Sequence, residues 1–173
     1  KKATDKDTSD YKEVTFEGYG PHGIAVYVET ATDNNNRTVA NVRSHFSRGG
    51  GQLGTSGSVE FIFNRMCFFN VTDTGVELDD LTLELIDLGA EEVERDDEAN
   101  QIIISAPFES FGGVQSKLEA DGYEIVESGL ERVPTITKAL NPEQVEEVEG
   151  LIERLEGDDD LQAVFHTMEP AVS

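Results

Sequence analysis

Apolar positions recur along this chain in short blocks, some alternating and some at helical spacing, and the change of period outlines the elements. A first extended segment runs from Glu13 to Glu17 and ends in the turn-rich EGYGPHG, Glu17 to Gly23. Ile24 to Thr30 is β-branched and aromatic and predicts a buried strand. Asn34 to Asn36 offer N-cap chemistry for a helix from about Arg37 to Arg48, with Val39, Val42 and Phe46 inward and Gly49, Gly50 and Gly51 as its stop. Ser58 to Phe63 then predicts a strand, with Val59, Phe61 and Phe63 on one side.

The middle of the chain repeats this order. Cys67 to Val71 predicts a strand, and Leu78 to Leu88 a helix with Leu78, Leu81, Leu85 and Leu88 as its stripe. Strands follow at Glu92 to Arg95 and Gln101 to Ser105, then a helix from Phe108 to Asp121 and a strand from Tyr123 to Glu127. Leu130 to Ala139 predicts a further strand, Asn141–Pro142 the start of a helix to Glu156 with Val145, Val148, Ile152 and Leu155 inward, and Leu161 to His166 the last strand. Counted from Ile24, the outer elements give one split βαβ order and the interruption gives another. The expected fold is therefore α+β, with two ferredoxin-like (βαββαβ) domains, one inserted into the other. Residues 1–11 would be a polar arm, 12–65 with 129–173 the outer domain, and 66–128 the inserted one. In the outer sheet, Leu130 to Ala139 would pair with the sheet that holds Ile24 to Thr30.

Charge adds a regional contrast to this layout. The net of −23 over 173 residues is uneven: residues 34–65 hold four Lys/Arg against one Asp/Glu, whereas residues 66–173 hold five against twenty-eight. A surface that neutralises phosphates must be basic, so only residues 34–65 suit a nucleic-acid backbone. No apolar run approaches the roughly 18–20 residues of a membrane span, and no leader resembles a signal peptide, so the expectation is a cytoplasmic protein without a membrane partner. The single cysteine, Cys67, sits in the apolar run CFFNV and suits a small buried hydrophobe better than a reactive thiol.

The motifs that could carry chemistry are weak. Gly18, Gly20 and Gly23 match G-x-G-x-x-G, but a strand follows where a dinucleotide site needs a helix, so the glycines are read as a structural turn. Gly49 to Gly57 lacks the lysine of a phosphate-binding loop. His22, His45 and His166 fall in different elements with no zinc spacing. No catalytic residue, metal ligand or cofactor site is expected. Asp158 to Asp160 is read as a solvated loop.

Three segments, EGYGPHGIAVYVE (Glu17 to Glu29), TDNNNRTVANVRSHFSRGGGQLGTSGSVEFIF (Thr32 to Phe63) and LEGDDDLQAVFH (Leu155 to His166), resemble the YebC/PmpR family. That family includes bacterial proteins labelled probable transcriptional regulators and the mitochondrial translational activator of cytochrome c oxidase subunit I. The resemblance spans roughly Lys12 to His166. It implies an N-terminal, Lys/Arg-rich helical domain, absent from this sequence, ahead of two α+β domains, the third inserted in the second. His22 departs from the family pattern, which usually has Gly there, and Gly49 stands where the family has a polar or small residue.

Two functions follow as expectations, neither enzymatic. One is DNA-binding transcriptional regulation, which the family label implies. The other is a ribosome-associated translation factor easing elongation through proline-rich stretches, which the acidic body suits better. A third reading is a regulator whose acidic face docks on a basic protein. The contact candidates are Arg37, Asn41, Arg43, Ser44 and Arg48 on the first helix, with Tyr19 and His22 in the preceding turn. The helical strip could equally be a plain solvated face. DNA or ribosomal RNA would be held mainly by the N-terminal domain that the resemblance implies.

Overall fold

The structure is a computed structural model that describes residues 11–169. The expected arm at residues 1–11 lies almost wholly outside the described residues. The chain divides into an outer unit, residues 1–63 with 134–173, and an inserted unit, residues 64–133. Each has a four-stranded antiparallel sheet with helices, so the fold is α+β as expected.

In the outer unit, β1 (Lys12–Tyr19), β2 (Ala25–Thr32), β3 (Gln52–Leu53) and β8 (Leu161–His166) form a sheet in the order β3-β1-β2-β8. Two helices, α1 (Asn35–Arg48) and α4 (Pro142–Glu156), cover one face. Alternation on β2 sends Val26 and Val28 toward Val42 and Phe46 of α1 and Val148, Leu151 and Leu155 of α4. The other face of β2, Ala25 and Tyr27, packs on Val59 and Phe63. Asn34 caps α1 by accepting from the Arg37 N–H at 3.1 Å. Asn141 and Gln144 form a full capping box at the start of α4.

The inserted unit runs β4 (Phe63–Thr72), α2 (Leu78–Ile86), β5 (Glu92–Asp96), β6 (Gln101–Pro107), α3 (Phe111–Ala120) and β7 (Ile125–Pro134). Its strand order, β5-β6-β4-β7, is that of a ferredoxin-like sandwich. Cys67, Phe69 and Val71 on β4 and Ile102, Ile104 and Ala106 on β6 bury their common face against Leu81, Leu85, Val114 and Leu118. Leu88, expected on the stripe of α2, lies past the helix end and is 37% exposed.

Two strand assignments are corrected. Leu130 to Ala139 is not a strand of the outer sheet: β7 carries the chain through Gly129 to Pro134 within the inserted sheet, Lys138 makes an isolated bridge to Met168 past the end of β8, and β1 occupies the place beside β2. Gly129, read as the junction between the domains, lies inside β7, where a Cβ would be 3.0 Å from the Phe68 ring. Ser58 to Phe63 is not a strand either, because Glu60–Ile62 is a turn of 3-10 helix. Here the buried Glu17 carboxylate accepts from the backbone N–H groups of Gly57, Val59 and Glu60 at 2.7, 2.8 and 2.7 Å, removing donors a ladder would need. Val59 and Phe63 are buried as expected, but Phe61 is 77% exposed.

Candidate nucleic-acid interface

The candidate strip sits on α1 because Thr38, Val42 and Phe46 are drawn into the outer core, which leaves Arg37, Asn41, Arg43 and Arg48 exposed and Ser44 half-buried. The strip does not behave as one basic surface. The Arg37 guanidinium lies 3.1 Å from both carboxylate oxygens of Asp160 and 3.2 Å from Asp33. The hydrogen bond and charge of Asp160 push the Arg37 pKa further up, so this cation is held by its own chain.

Asp160 is itself buried and also accepts from the hydroxyl of Thr38 at 2.8 Å, while its carbonyl takes the Ala31 N–H. Next to it, Asp158 accepts from the Asp160 N–H and pairs with His45 Nε2 at 2.9 Å. The expected solvated loop is thus a polar clasp tying α1 to the strand before it and to the end of α4. Together, Arg37, Asn41, His45 and Asp158 to Asp160 line a cleft of about 450 Å³ whose carboxylates oppose phosphate.

Arg43 and Arg48 differ. Neither has an ion pair among the described residues, and Arg48 Nε donates only to Ser44 Oγ at 3.2 Å. Arg48 lines a second, larger groove of about 610 Å³ with Pro21, His22, Gly50, Glu147 and Arg154. Arg154 was not expected, since it lies more than a hundred positions from Arg48 and nothing in its local sequence marks it. Arg65, counted in the basic tract, belongs to the inserted unit and stacks 3.8 Å over the Phe108 ring.

The turn that carries Tyr19 and His22 is built by close packing. A Cβ on Gly18 would meet the Phe46 ring at 2.9 Å, and one on Gly20 would meet Leu151 at 2.9 Å. His22 adopts φ 64°, ψ 23°, a left-handed conformation that a glycine takes without cost. A side chain at this position therefore carries a backbone cost, and His22 has contacts that offset it. Its ring pairs with Glu147 of α4, and Lys138 Nζ donates to its carbonyl at 2.6 Å. Tyr19 is 42% exposed and lines neither groove. The fold therefore brings His22 to Arg48, holds Arg37 and Asn41 in the acidic cleft, and leaves Arg43 and Tyr19 apart from both.

Comparison with known proteins agrees with this architecture. Residues 11–168 match the family model described as TACO1/YebC second and third domain. A probable transcriptional regulatory protein of Flavobacterium psychrophilum is 56% identical over 98% of this chain and 71% of its own length. One of Porphyromonas gingivalis is 53% identical over 97% of the chain and 69% of its length. The crystal structure of a conserved hypothetical protein from Aquifex aeolicus superposes with a TM-score of 0.79 at 34% identity, covering 98% of this chain and 70% of that one. None of the helices among the described residues is long and apolar enough to cross a membrane. The chain belongs to the TACO1/YebC family, whose relatives here carry the name of transcriptional regulators.

Proposed function

We propose that this chain is the non-enzymatic acidic body of a regulator of gene expression, and that on α1 it touches nucleic acid only through Arg43 and Arg48, which project from different sides of the helix. The observation that carries this reading is the pairing of Arg37 with Asp160, which leaves these two arginines as the uncommitted cations of the helix. Each phosphate contact adds a salt-dependent increment, and two arginines against a chain net of −23 are too few to hold a duplex tightly. Relatives bear the name of transcriptional regulators, which supports a regulatory role.

The same charge balance favours a ribosome-associated factor over a DNA-binding one. A ribonucleoprotein offers basic protein surface beside phosphate, so a mostly acidic partner can approach it without facing phosphate on every side. Ribosome co-sedimentation and a DNA shift assay, run side by side on the complete protein at physiological salt, decide between them. Ribosome binding weakened by Arg43→Glu/Arg48→Glu is the expected result. A sequence-selective DNA shift by residues 1–173 alone would overturn the reading.

A further inference from the structure

We infer that the outward face of α2 docks a Lys/Arg-rich amphipathic segment of a protein partner. This contact is on the inserted unit and is independent of α1. Helix α2 satisfies the inserted core with Leu81 and Leu85, yet it carries two more large aliphatic residues outward, Leu83 at 66% and Ile86 at 51% exposure. They stand three positions apart, adjacent on the helix surface. A lone exposed leucine is ordinary, but an adjacent pair on a nine-residue helix, followed in the next turn by exposed Leu88, is an apolar face without a cover.

The surrounding charge selects what covers it. Asp79, Asp80 and Asp87 lie at four before, three before and four after Leu83, so they border it on the helix surface. None of the three pairs with a base among the described residues. From Met66 to Glu94 the chain holds nine carboxylates and no Lys or Arg. Nucleic acid and anionic lipid would be repelled here, and a second copy would bring the same carboxylates face to face. A basic amphipathic segment meets both demands: its aliphatic side covers Leu83 and Ile86, and its Lys or Arg side chains reach Asp79, Asp80 and Asp87.

The test uses the 173-residue chain and two synthetic lysine–leucine peptides of identical composition, one with leucines at helical spacing and one with them scattered. Binding is read by fluorescence anisotropy at physiological salt. The amphipathic peptide binds more tightly than the scattered one, and Leu83→Ser/Ile86→Ser weakens it by about tenfold or more while leaving the scattered peptide unchanged. Asp80→Lys/Asp87→Lys weakens both peptides. Thermal melts that match the parent show that these exposed positions leave the fold intact. Equal affinity for the two peptides, or unchanged affinity in the serine double variant, overturns the docking site. So does a dimer in sedimentation that the serine variant dissolves, since the face would then belong to a second copy.

Discussion

Asp160 holds Arg37 through both carboxylate oxygens, each 3.1 Å from the same guanidinium nitrogen, across 123 residues of sequence. An arginine on the expected contact face is therefore part of the scaffold. Replacing Asp160 with Ala removes an acceptor from the fully buried Thr38 and should cost about 1–3 kcal/mol, read from urea unfolding. Arg37→Glu should also lower the urea midpoint, because it sets a carboxylate against Asp160 and Asp33. If Arg37→Glu melts like Arg43→Glu, the clasp is not structural.

Arg43 and Arg48 are the positions where function and folding separate. The double change to Glu should alter stability by less than about 0.5 kcal/mol, as exposed substitutions usually do. Association of the complete protein with ribosomes should fall at low salt, and the gap from the parent should narrow as salt rises. A gap that stays constant with salt would mean the arginines act through shape instead of charge.

Glu17 is the anchor of the loop from Gly57 to Glu60. In Glu17→Gln an amide nitrogen replaces one acceptor oxygen, so at least one of the three backbone N–H groups loses its partner. The expected loss is about 1–3 kcal/mol with faster proteolysis around Gly57. Unchanged cleavage there would count against the anchor.

Glycine substitutions should act with opposite signs. Gly150 lies inside α4, where an added Cβ would meet nothing within 4 Å, so Gly150→Ala should stabilise by about 0.5–1 kcal/mol. At Gly51 a Cβ would sit 2.3 Å from the Tyr19 carbonyl oxygen, so Gly51→Ala should destabilise. Thermal melts of the two variants give the comparison.

His166 introduces an acid-sensitive contribution. Burial lowers its pKa below the ordinary 6.5, partly offset by Glu156 and Glu149. Its neutral form suits the fold, so the unfolded chain takes up the proton first as pH falls. Stability from this group is complete above about pH 6.5 and is lost as pH drops through the lower folded value. His166→Gln should flatten this limb between neutral and mildly acidic pH in denaturant titrations, whereas an unaltered limb would place the sensitivity elsewhere.

Local pattern disclosed much of this fold. The Asn34 cap, the Val42 and Phe46 stripe and the last strand, Leu161–His166, all follow from neighbouring residues, and so does the βαββαβ order of the insertion. The errors arose where a residue's partner is remote. Gly129 looks like a break until Phe68 is seen against it, and Glu17 looks like a strand end until its loop, some forty positions on, closes over it. The candidate site suffered most from this. Helical period placed Arg37 outward correctly, but no period could reveal that Asp160 would claim its charge.

The insertion leaves and rejoins the outer unit at neighbouring points, where the Thr135 N–H donates to the Ile62 carbonyl at 2.8 Å. On a nascent chain this sets an order of events. The inserted sheet has all its strands once Pro134 has emerged, whereas Val42 and Phe46 still lack Val148, Leu151 and Leu155. The middle of the sequence thus has a complete sheet before either end does, and the outer core lacks α4 and β8 while the insertion is made.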